Sequence, residues 1–254
     1  MIRSLLIIAG ASTVLALASL AGAAALGGQD LQRNGWSWTF RDSDGETVRF
    51  ERVDRADRGP DVTRTLAWTG GERLSIEIPA EVTYVQGAEA GVVITGAQTV
   101  VDQIRVEDGR IVFDRKTDEV VIGWGRDGPW SDHDGLKVRI TAPSVTRFDL
   151  QGSGELILRD YDQPTLILAL SGSGEAKAFG RTEALDLDIS GSGEADLSDL
   201  VTSDAAVDIS GSGEARIAPT GSVRIDIAGS GDVYLETRPA SVQSDISGSG
   251  EVHQ

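Results

Sequence analysis

The sequence contains no cysteine, which excludes disulfide bonds, thiol catalysis and thiolate metal ligands. Histidine is almost as scarce, since His133 and His253 are the only two, and a histidine-rich zinc site is therefore excluded. A Ser-His-Asp triad would have to use one of these two imidazoles. Aromatic residues make up only 5% of the chain, whereas glycine is abundant at 31 residues. The composition alone thus excludes thiol-dependent catalytic sites and histidine-rich or thiolate metal sites.

Basic residues are also few. Lysine and arginine total 23 against 40 aspartate and glutamate residues, which gives a formal net charge of −17. Binding to nucleic acid needs a basic face for the phosphates, and adsorption to anionic lipid needs clustered lysine and arginine. The charge balance therefore argues against both partners. The length of 254 residues leaves room for one large domain or two small ones.

The N-terminus has the features of an export signal. Arg3 is the only charged residue before Asp30, an apolar run follows it, and Ala21–Ala23 supplies small residues at a cleavage position. This pattern predicts a signal peptide over residues 1–23, cleaved after Ala23, and export to the periplasm, the cell surface or the medium. The alternative is an uncleaved membrane anchor, because residues 4–29 carry no charge, and only then would the membrane be a partner.

The C-terminal part of the chain repeats a short motif. Gly-Ser-Gly followed by an acidic residue occurs six times, with steps of 20, 19, 20, 18 and 19 residues between the first glycines. Apolar and polar residues alternate on both sides of each copy, which indicates strands with one buried face. The copies are Gly152–Glu155, Gly172–Glu175, Gly191–Glu194, Gly211–Glu214, Gly229–Asp232 and Gly248–Glu251.

This repeat excludes helical arrays, because Gly-Ser-Gly would break a helix and an apolar period of two does not fit 3.6 residues per turn. Identical turns at a constant step favour stacked coils over a series of hairpins. The sequence therefore predicts an all-β fold, a single-stranded, parallel, right-handed β-helix (a solenoid) with coils of about 19 residues. The glycines would supply the positive φ angles that the turns require.

Upstream of the repeats the same alternation continues less regularly. We expect a β-helix domain over 66–254, with irregular first coils in 66–151 that close its N-terminal end and regular coils in 152–254. Within the irregular part, Asp108–Gly109 fits a tight turn between two short strands. Residues 24–65 are interpreted as a linker or stalk, with a small hairpin around Asp44–Gly45.

Several segments resemble a known family. They are Glu81–Gly87, Val100–Ile104, Glu107–Val112, Val138–Val145 and the Gly-Ser-Gly-Glu repeats. Together they are similar to the bacterial "putative auto-transporter adhesin, head GIN domain" family over about residues 66–252. The resemblance implies a single-stranded β-helix on an exported protein. It supplies no catalytic residues.

Stacked coils would also stack their acidic residues. At a strand spacing of about 4.8 Å, neighbouring charges in water repel by about 1 kcal/mol, so such a row either faces open solvent or takes up cations. A weak Ca²⁺-binding stripe is one hypothesis, and a solvated outer face is the favoured one, since calcium-binding β-rolls repeat every nine residues. The candidate metal ligands are Glu155, Glu175, Glu194, Glu214, Asp232 and Glu251. A second predicted row contains Asp149, Asp188, Asp208, Asp226 and Asp245, with Ala169 as a gap.

The segment from residue 124 to residue 135 is the most unusual in composition. We predict that it is a loop that interrupts the strand pattern. As a binding loop it would offer apolar platforms beside polar groups, suited to sugar rings or a protein partner. As a structural loop its tryptophans would cover the end or flank of the solenoid. The candidate ligand-binding residues are Trp124, Arg126, Trp130, Asp132 and Asp134.

The motifs argue against catalysis. Gly-Ser-Gly occurs six times with an acid after it, which does not fit a phosphate loop, and Gly-x-Ser-x-Gly is absent. We predict an exported, non-enzymatic β-solenoid of the bacterial cell envelope, without cofactors, that binds a surface ligand, a glycan or an envelope protein as an adhesin. The alternative is a structural or regulatory envelope protein that self-associates through the solenoid ends, since the last repeat leaves strand edges open. A carbohydrate-active β-helix enzyme is the third hypothesis.

Overall fold

Strands provide nearly all the regular structure of the described chain. The computed structural model describes residues 37–41, 47–51, 60–114, 119–125, 128–131 and 135–254. The elements, in chain order, are β1 (Ser37–Arg41), β2 (Thr47–Glu51), β3 (Asp61–Leu66), β4 (Arg73–Ile76), β5 (Glu81–Gln86), β6 (Gly91–Ala97), α1 (Gln98–Val101), β7 (Ile104–Glu107), β8 (Arg110–Phe113), β9 (Glu119–Gly125), β10 (Gly128–Ser131), β11 (Lys137–Ala142), β12 (Arg147–Gly152), β13 (Glu155–Gly172), β14 (Glu175–Gly191), β15 (Glu194–Gly211), β16 (Glu214–Pro219), β17 (Ser222–Gly229), β18 (Asp232–Leu235), β19 (Ser241–Gly248) and β20 (Glu251–His253).

The chain divides into two compact units, and the first contains a four-stranded sheet in the order β1-β2-β9-β10. β1 and β2 are antiparallel, β2 and β9 are parallel, and β9 and β10 are antiparallel. The predicted loop around Trp124 and Trp130 is therefore wrong, because both residues lie in strands. The physical reason is that β9 finds backbone partners in both β2 and β10, and only two residues separate β9 from β10.

The second unit contains the repeats. β13, β14 and β15 each extend through a whole coil from one turn to the next, and their residues pair in parallel. The first glycines of successive turns lie opposite one another, as in the pairing of Gly172 with Gly191 and of Gly191 with Gly211. The predicted parallel solenoid is confirmed.

The Gly-Ser-Gly turns need glycine for two different reasons. Gly191 has φ +122, which side chains disfavour, and a Cβ there would lie 2.5 Å from the carbonyl oxygen of Gly172. A Cβ on Gly193 would lie 2.9 Å from the carbonyl oxygen of Gly174. This close approach allows the Ser192 N–H to donate to Gly172 at 2.8 Å and the Glu194 N–H to donate to Gly174 at 3.0 Å. Each turn is thus bonded to the turn before it.

Each coil contributes to two long sides. The front side consists of the strand segments that follow the turns, in the order β3-β6-β11-β5-β13-β14-β15-β16-β18-β20. The back side consists of the segments that precede the turns, in the order β7-β8-β4-β12-β13-β14-β15-β17-β19. Polar side chains point outward from both sides and apolar side chains point inward.

The core lies between these sides and consists of stacked apolar rows. In one row the buried side chains become smaller along the solenoid, from Leu156 to Ala176 and Ala195. In another row Leu170 stacks on Ile189. The first coils hold an aromatic cluster, in which the centroid of the Phe148 ring lies 5.1 Å from that of Tyr84 and 6.1 Å from that of Tyr161. The Tyr84 hydroxyl donates to Ala142 and the Tyr161 hydroxyl to Thr165, both at 2.8 Å. Burial raises the pKa of both phenols.

The N-terminal end of this unit departs from parallel coils. β3 pairs antiparallel with β6, β6 with β11, and β7 with β8. Asp108 and Gly109 both have positive φ in the turn between β7 and β8, as the predicted tight turn requires. The predicted signal peptide at 1–23 lies outside the described residues. No helix in the described part of the chain is long and apolar enough to cross a membrane.

Candidate functional site

The acids that follow the turns form one outward row on the front side. The parallel register places Glu155 opposite Glu175, Glu175 opposite Glu194, and so on to Glu251. The predicted stacking of these residues is confirmed. The row also includes Glu81 of β5, which pairs with Glu155 and was not recognised from the repeat. We call Glu81, Glu155, Glu175, Glu194, Glu214, Asp232 and Glu251 the acid row.

Lys137 lies 2.7 Å from Glu81 at the start of the acid row, and two further bases, Lys177 and Arg216, neutralise its next members. The Lys177 amine lies 2.5 Å from Glu175 and 3.5 Å from Glu155, and its pKa is raised, chiefly by the hydrogen bond to Glu175. Arg216 contacts Glu194 at 2.6 Å and also pairs with Glu214, so one guanidinium joins two coils. These pairings were not predicted from the sequence. The signal was the spacing Glu-x-Lys and Glu-x-Arg, which places a base beside the acid on the same outward face.

Lys177 and Arg216 belong to a neighbouring outward row of mixed character. The register aligns Lys177 with Asp196, Asp196 with Arg216, Arg216 with Tyr234, and Tyr234 with His253. We call these five residues the mixed row. The Asp196 carboxylate accepts hydrogen bonds from the hydroxyl and the N–H of Ser198, which lower its pKa. A base, an acid, a second base and two rings thus follow one another at the spacing of single strands.

The mixed row ends in a stack of rings. The Arg216 guanidinium lies 5.3 Å from the centroid of the Tyr234 ring, a cation–π distance. The rings of Tyr234 and His253 are nearly parallel, at 12°, with centroids 4.5 Å apart. The His253 side chain is 41% exposed. This surface could not be predicted from the sequence, because Tyr234 and His253 are 19 positions apart and only the solenoid register makes them neighbours.

The predicted aspartate row is present on the back side, with its members in register from Asp149 to Asp245 and Ala169 as the gap. Its first member differs from the others, because Asp149 is buried and accepts from Arg73 at 2.7 Å and Arg147 at 3.1 Å. Among the described residues, Asp208 has no such pair. Desolvation raises its pKa, and the neighbouring carboxylates, Asp226 first, raise it further.

A shallow groove of about 220 Å³ lies beside the aspartate row. It is lined by Asp208, Asp226, Asp245 and residues next to them in the strands. Within the residues described, no group of three or more histidine, aspartate or glutamate side chains is arranged to hold a metal ion. The strand repeat spaces the carboxylates along a line and does not make them converge on one point. Neither row therefore supports a proposal of metal binding.

The predicted ligand-binding residues of the first unit are only partly covered by the structure. Trp124 lies in β9 opposite Pro129, and Trp130 lies in β10 opposite Gly123. Arg126, Asp132 and Asp134 lie outside the described residues. Ligand binding by these five residues stays a prediction.

The stacked coils and outward rows define the second unit as a parallel β-solenoid. The family model described as "Putative auto-transporter adhesin, head GIN domain" matches residues 72–239, and the chain therefore belongs to this family. This match is shorter than the range of about 66–252 expected from the motifs. Comparison with the curated proteins gives no match.

Solved structures are similar to this chain at low sequence identity, and the one with a TM-score above 0.5 shares its fold. A "putative adhesin" from Bacteroides fragilis NCTC 9343 is 16% identical with a TM-score of 0.59, and the alignment covers 76% of this chain and 96% of that chain. A "putative adhesin" from Parabacteroides merdae ATCC 43184 is 16% identical with a TM-score of 0.41, covering 77% and 97%. A "putative lipid binding protein" from Parabacteroides distasonis ATCC 8503 is 17% identical with a TM-score of 0.49, covering 80% and 99%.

Proposed function

We propose that this protein is an exported, non-enzymatic binding module of the cell envelope, which attaches to a surface ligand through the front side of its solenoid. The observation that carries the proposal is the mixed row, in which Lys177, Arg216 and the Tyr234–His253 stack lie on one continuous sheet. Bonding between coils holds these side chains at fixed spacing. Preorganised groups lose little conformational entropy when a ligand binds.

The arrangement of the carboxylates favours binding over catalysis. A glycoside hydrolase places two carboxyl groups on opposite sides of the scissile bond, about 5 to 10 Å apart. Here Glu175 and Glu194 are neighbours on one face, and each is paired with a base. A paired carboxylate on an open sheet is a poor general acid. A carbohydrate-active enzyme is therefore the less supported hypothesis.

The chemistry of the front side favours a glycan as the ligand. Aromatic rings contact the apolar faces of sugars, while carboxylates and guanidinium groups hydrogen-bond to their hydroxyls. The His253 ring, which ends the stack on Tyr234 and is 41% exposed, and Arg216 offer both kinds of contact on the same sheet. The acid row and the net charge of −17 disfavour polyanionic ligands. Neutral or amino-sugar glycans, alone or carried by an envelope protein, fit this surface best.

A glycan screen on the purified protein tests the proposal. We expect retention of neutral or amino-sugar glycans, and at least about a tenfold loss of affinity in Tyr234→Ala and in Arg216→Ala. Val201→Ala is the matched control, because Val201 is 65% exposed and belongs to neither outward row. Absence of binding by the unaltered protein, or equal binding by all variants, would reject the proposal.

Export is the second part of the proposal and rests on the signal features of residues 1–23. We expect the protein recovered from outside the cytoplasm to begin at Ala24, as measured by N-terminal sequencing. A chain that keeps Met1 and sediments with membranes would instead indicate an uncleaved anchor.

A further inference from the structure

The last described coil leaves core positions uncovered. Val242 and Ile246 of β19 align with Val223 and Ile227 of β17, which are 3% and 2% exposed. In β19 the exposed fractions rise to 36% and 39%. Among the described residues, the exposed large apolar side chains are these two and Val201. Apolar exposure is therefore concentrated on β19.

The backbone of β19 is also available for pairing. β19 pairs with β17 on one edge, and no described strand pairs with its other edge. Such an edge presents N–H and C=O groups that favour the addition of another strand. At the opposite end of the core, α1 buries Val100 and Val101, and Arg64 donates to the carbonyls of Val101 and Ile104 at 3.3 Å. In the described part of the chain, only the β19 end combines an open edge with exposed core side chains.

We propose that two copies of this chain associate tail to tail, with β19 of one copy pairing antiparallel to β19 of the other about a two-fold axis at Ser244. The sequence of β19 is self-complementary in this register. Val242 lies opposite Ile246 of the second copy, so apolar residues meet on the inner face. Gln243 lies opposite Asp245 of the second copy, so an amide and not a carboxylate meets each acid.

Neighbouring registers fit less well. A two-fold axis at residue 245 would place Asp245 against its own copy, which is destabilising for like charges directly opposite in a sheet. An axis at residue 243 would place Val242 opposite Ser244 and Ile246 opposite Ala240, a small residue that precedes β19. Because the axis at Ser244 is two-fold, the interface uses the same patch on both copies and closes as a dimer, without forming a fibre.

Engineered thiols test this register directly, because the chain contains no cysteine. In Ser244→Cys the two thiols lie directly opposite across the axis, where Cα atoms of an antiparallel pair are about 4.5 to 5.5 Å apart, within disulfide range. In Ser241→Cys, the control on the same strand, the two thiols are about 20 Å apart. We expect mild oxidation to cross-link Ser244→Cys at least about tenfold faster than Ser241→Cys. Equal cross-linking of the two variants, or none, would overturn the register.

Sedimentation equilibrium of the full chain tests the dimer itself. We expect a concentration-dependent dimer, tightened by salt that screens the net charge of −17 on each copy. Ile246→Lys should weaken it by roughly a hundredfold or more, because the two-fold axis introduces the charge twice. Val201→Lys is the matched control and should leave it unchanged. A monomer at all concentrations, or a dimer that survives Ile246→Lys, would overturn the proposal, including the case in which another protein or further chain covers β19.

Discussion

The guanidinium of Arg216 lies over the ring of Tyr234, 5.3 Å from its centroid, and this contact joins the acid row to the aromatic end of the mixed row. On one side Arg216 binds Glu194 and Glu214, and on the other side Tyr234 stacks on His253. Four coils are thus linked by side chains on the outer face, in addition to their backbone hydrogen bonds. The front side is held in one arrangement by these contacts.

We expect this link to be measurable as a coupling energy. In a double-mutant cycle of Arg216→Ala and Tyr234→Ala, the coupling should be about 0.5 to 1 kcal/mol, the range of an exposed cation–π contact. Urea unfolding of the four proteins gives the value. Additive effects within about 0.3 kcal/mol would show that the contact contributes nothing to stability. A parallel cycle with Val201→Ala in place of Tyr234→Ala should be additive, because Val201 lies in neither outward row.

Asp208 should destabilise the folded protein at neutral pH. Desolvation and the charges of Asp226 and Asp188 raise its pKa above the ordinary 3.8, so the folded state binds this proton more tightly than the unfolded state. The destabilisation caused by ionised Asp208 therefore decreases as the pH falls through the raised pKa toward 3.8. We expect Asp208→Asn to raise the free energy of unfolding at pH 7. The advantage should shrink as the pH falls toward 3.8.

Asp196 provides a control of opposite sign. The hydrogen bond from Ser198 lowers its pKa, so its ionised form stabilises the folded state above pH 3.8, and this contribution is lost as the pH falls through the lowered value. We expect Asp196→Asn to be less stable than the unaltered protein at pH 7, with the difference vanishing in acid. Urea unfolding at a series of pH values measures both variants. Changes of the same sign in the two variants would contradict this account.

The repeated coils could be predicted from the sequence because the motif itself fixes their register. Gly191 and Gly211 are 20 positions apart, both have positive φ, and the structure places them opposite each other. Alternation between the turns then determines which side chains point inward. The aspartate row from Asp149 to Asp245 followed from the same register. A constant step with identical turns leaves few alternative pairings.

Other features could not be predicted, because alternation identifies a strand but not its partner or direction. β6 and β11 have the same apolar alternation as the coils, yet they pair antiparallel. The segment with Trp124 has glycines and charges that are typical of loops, and pairing with β2 decided its conformation. Contacts such as Lys177 with Glu155 join residues of different coils and become evident only in three dimensions.

Phe148 should be a major contributor to stability. It is fully buried, its ring packs edge-on against both Tyr84 and Tyr161, and it lies where the irregular first coils meet the regular ones. We expect Phe148→Ala to lower the free energy of unfolding by about 3 to 5 kcal/mol, because a large cavity remains between two polar-tipped rings. Urea unfolding measures the loss. A loss below about 1 kcal/mol would contradict tight packing of this cluster.

The Gly-Ser-Gly turns allow a graded test of why glycine is needed. In Gly191→Ala the new Cβ has both an unfavourable φ of +122 and a 2.5 Å contact with the Gly172 carbonyl oxygen. Gly152 has φ +89 but no atom within 4 Å of an added Cβ, and Gly71 has neither constraint.

We expect Gly152→Ala to cost about 1 to 2 kcal/mol from backbone strain alone. Gly191→Ala should cost more, since backbone atoms of the preceding turn must also move, and Gly71→Ala should be neutral or slightly stabilising. Thermal and urea unfolding measure the order, and equal losses for Gly191→Ala and Gly152→Ala would show that the turns are not packed as closely as this contact requires.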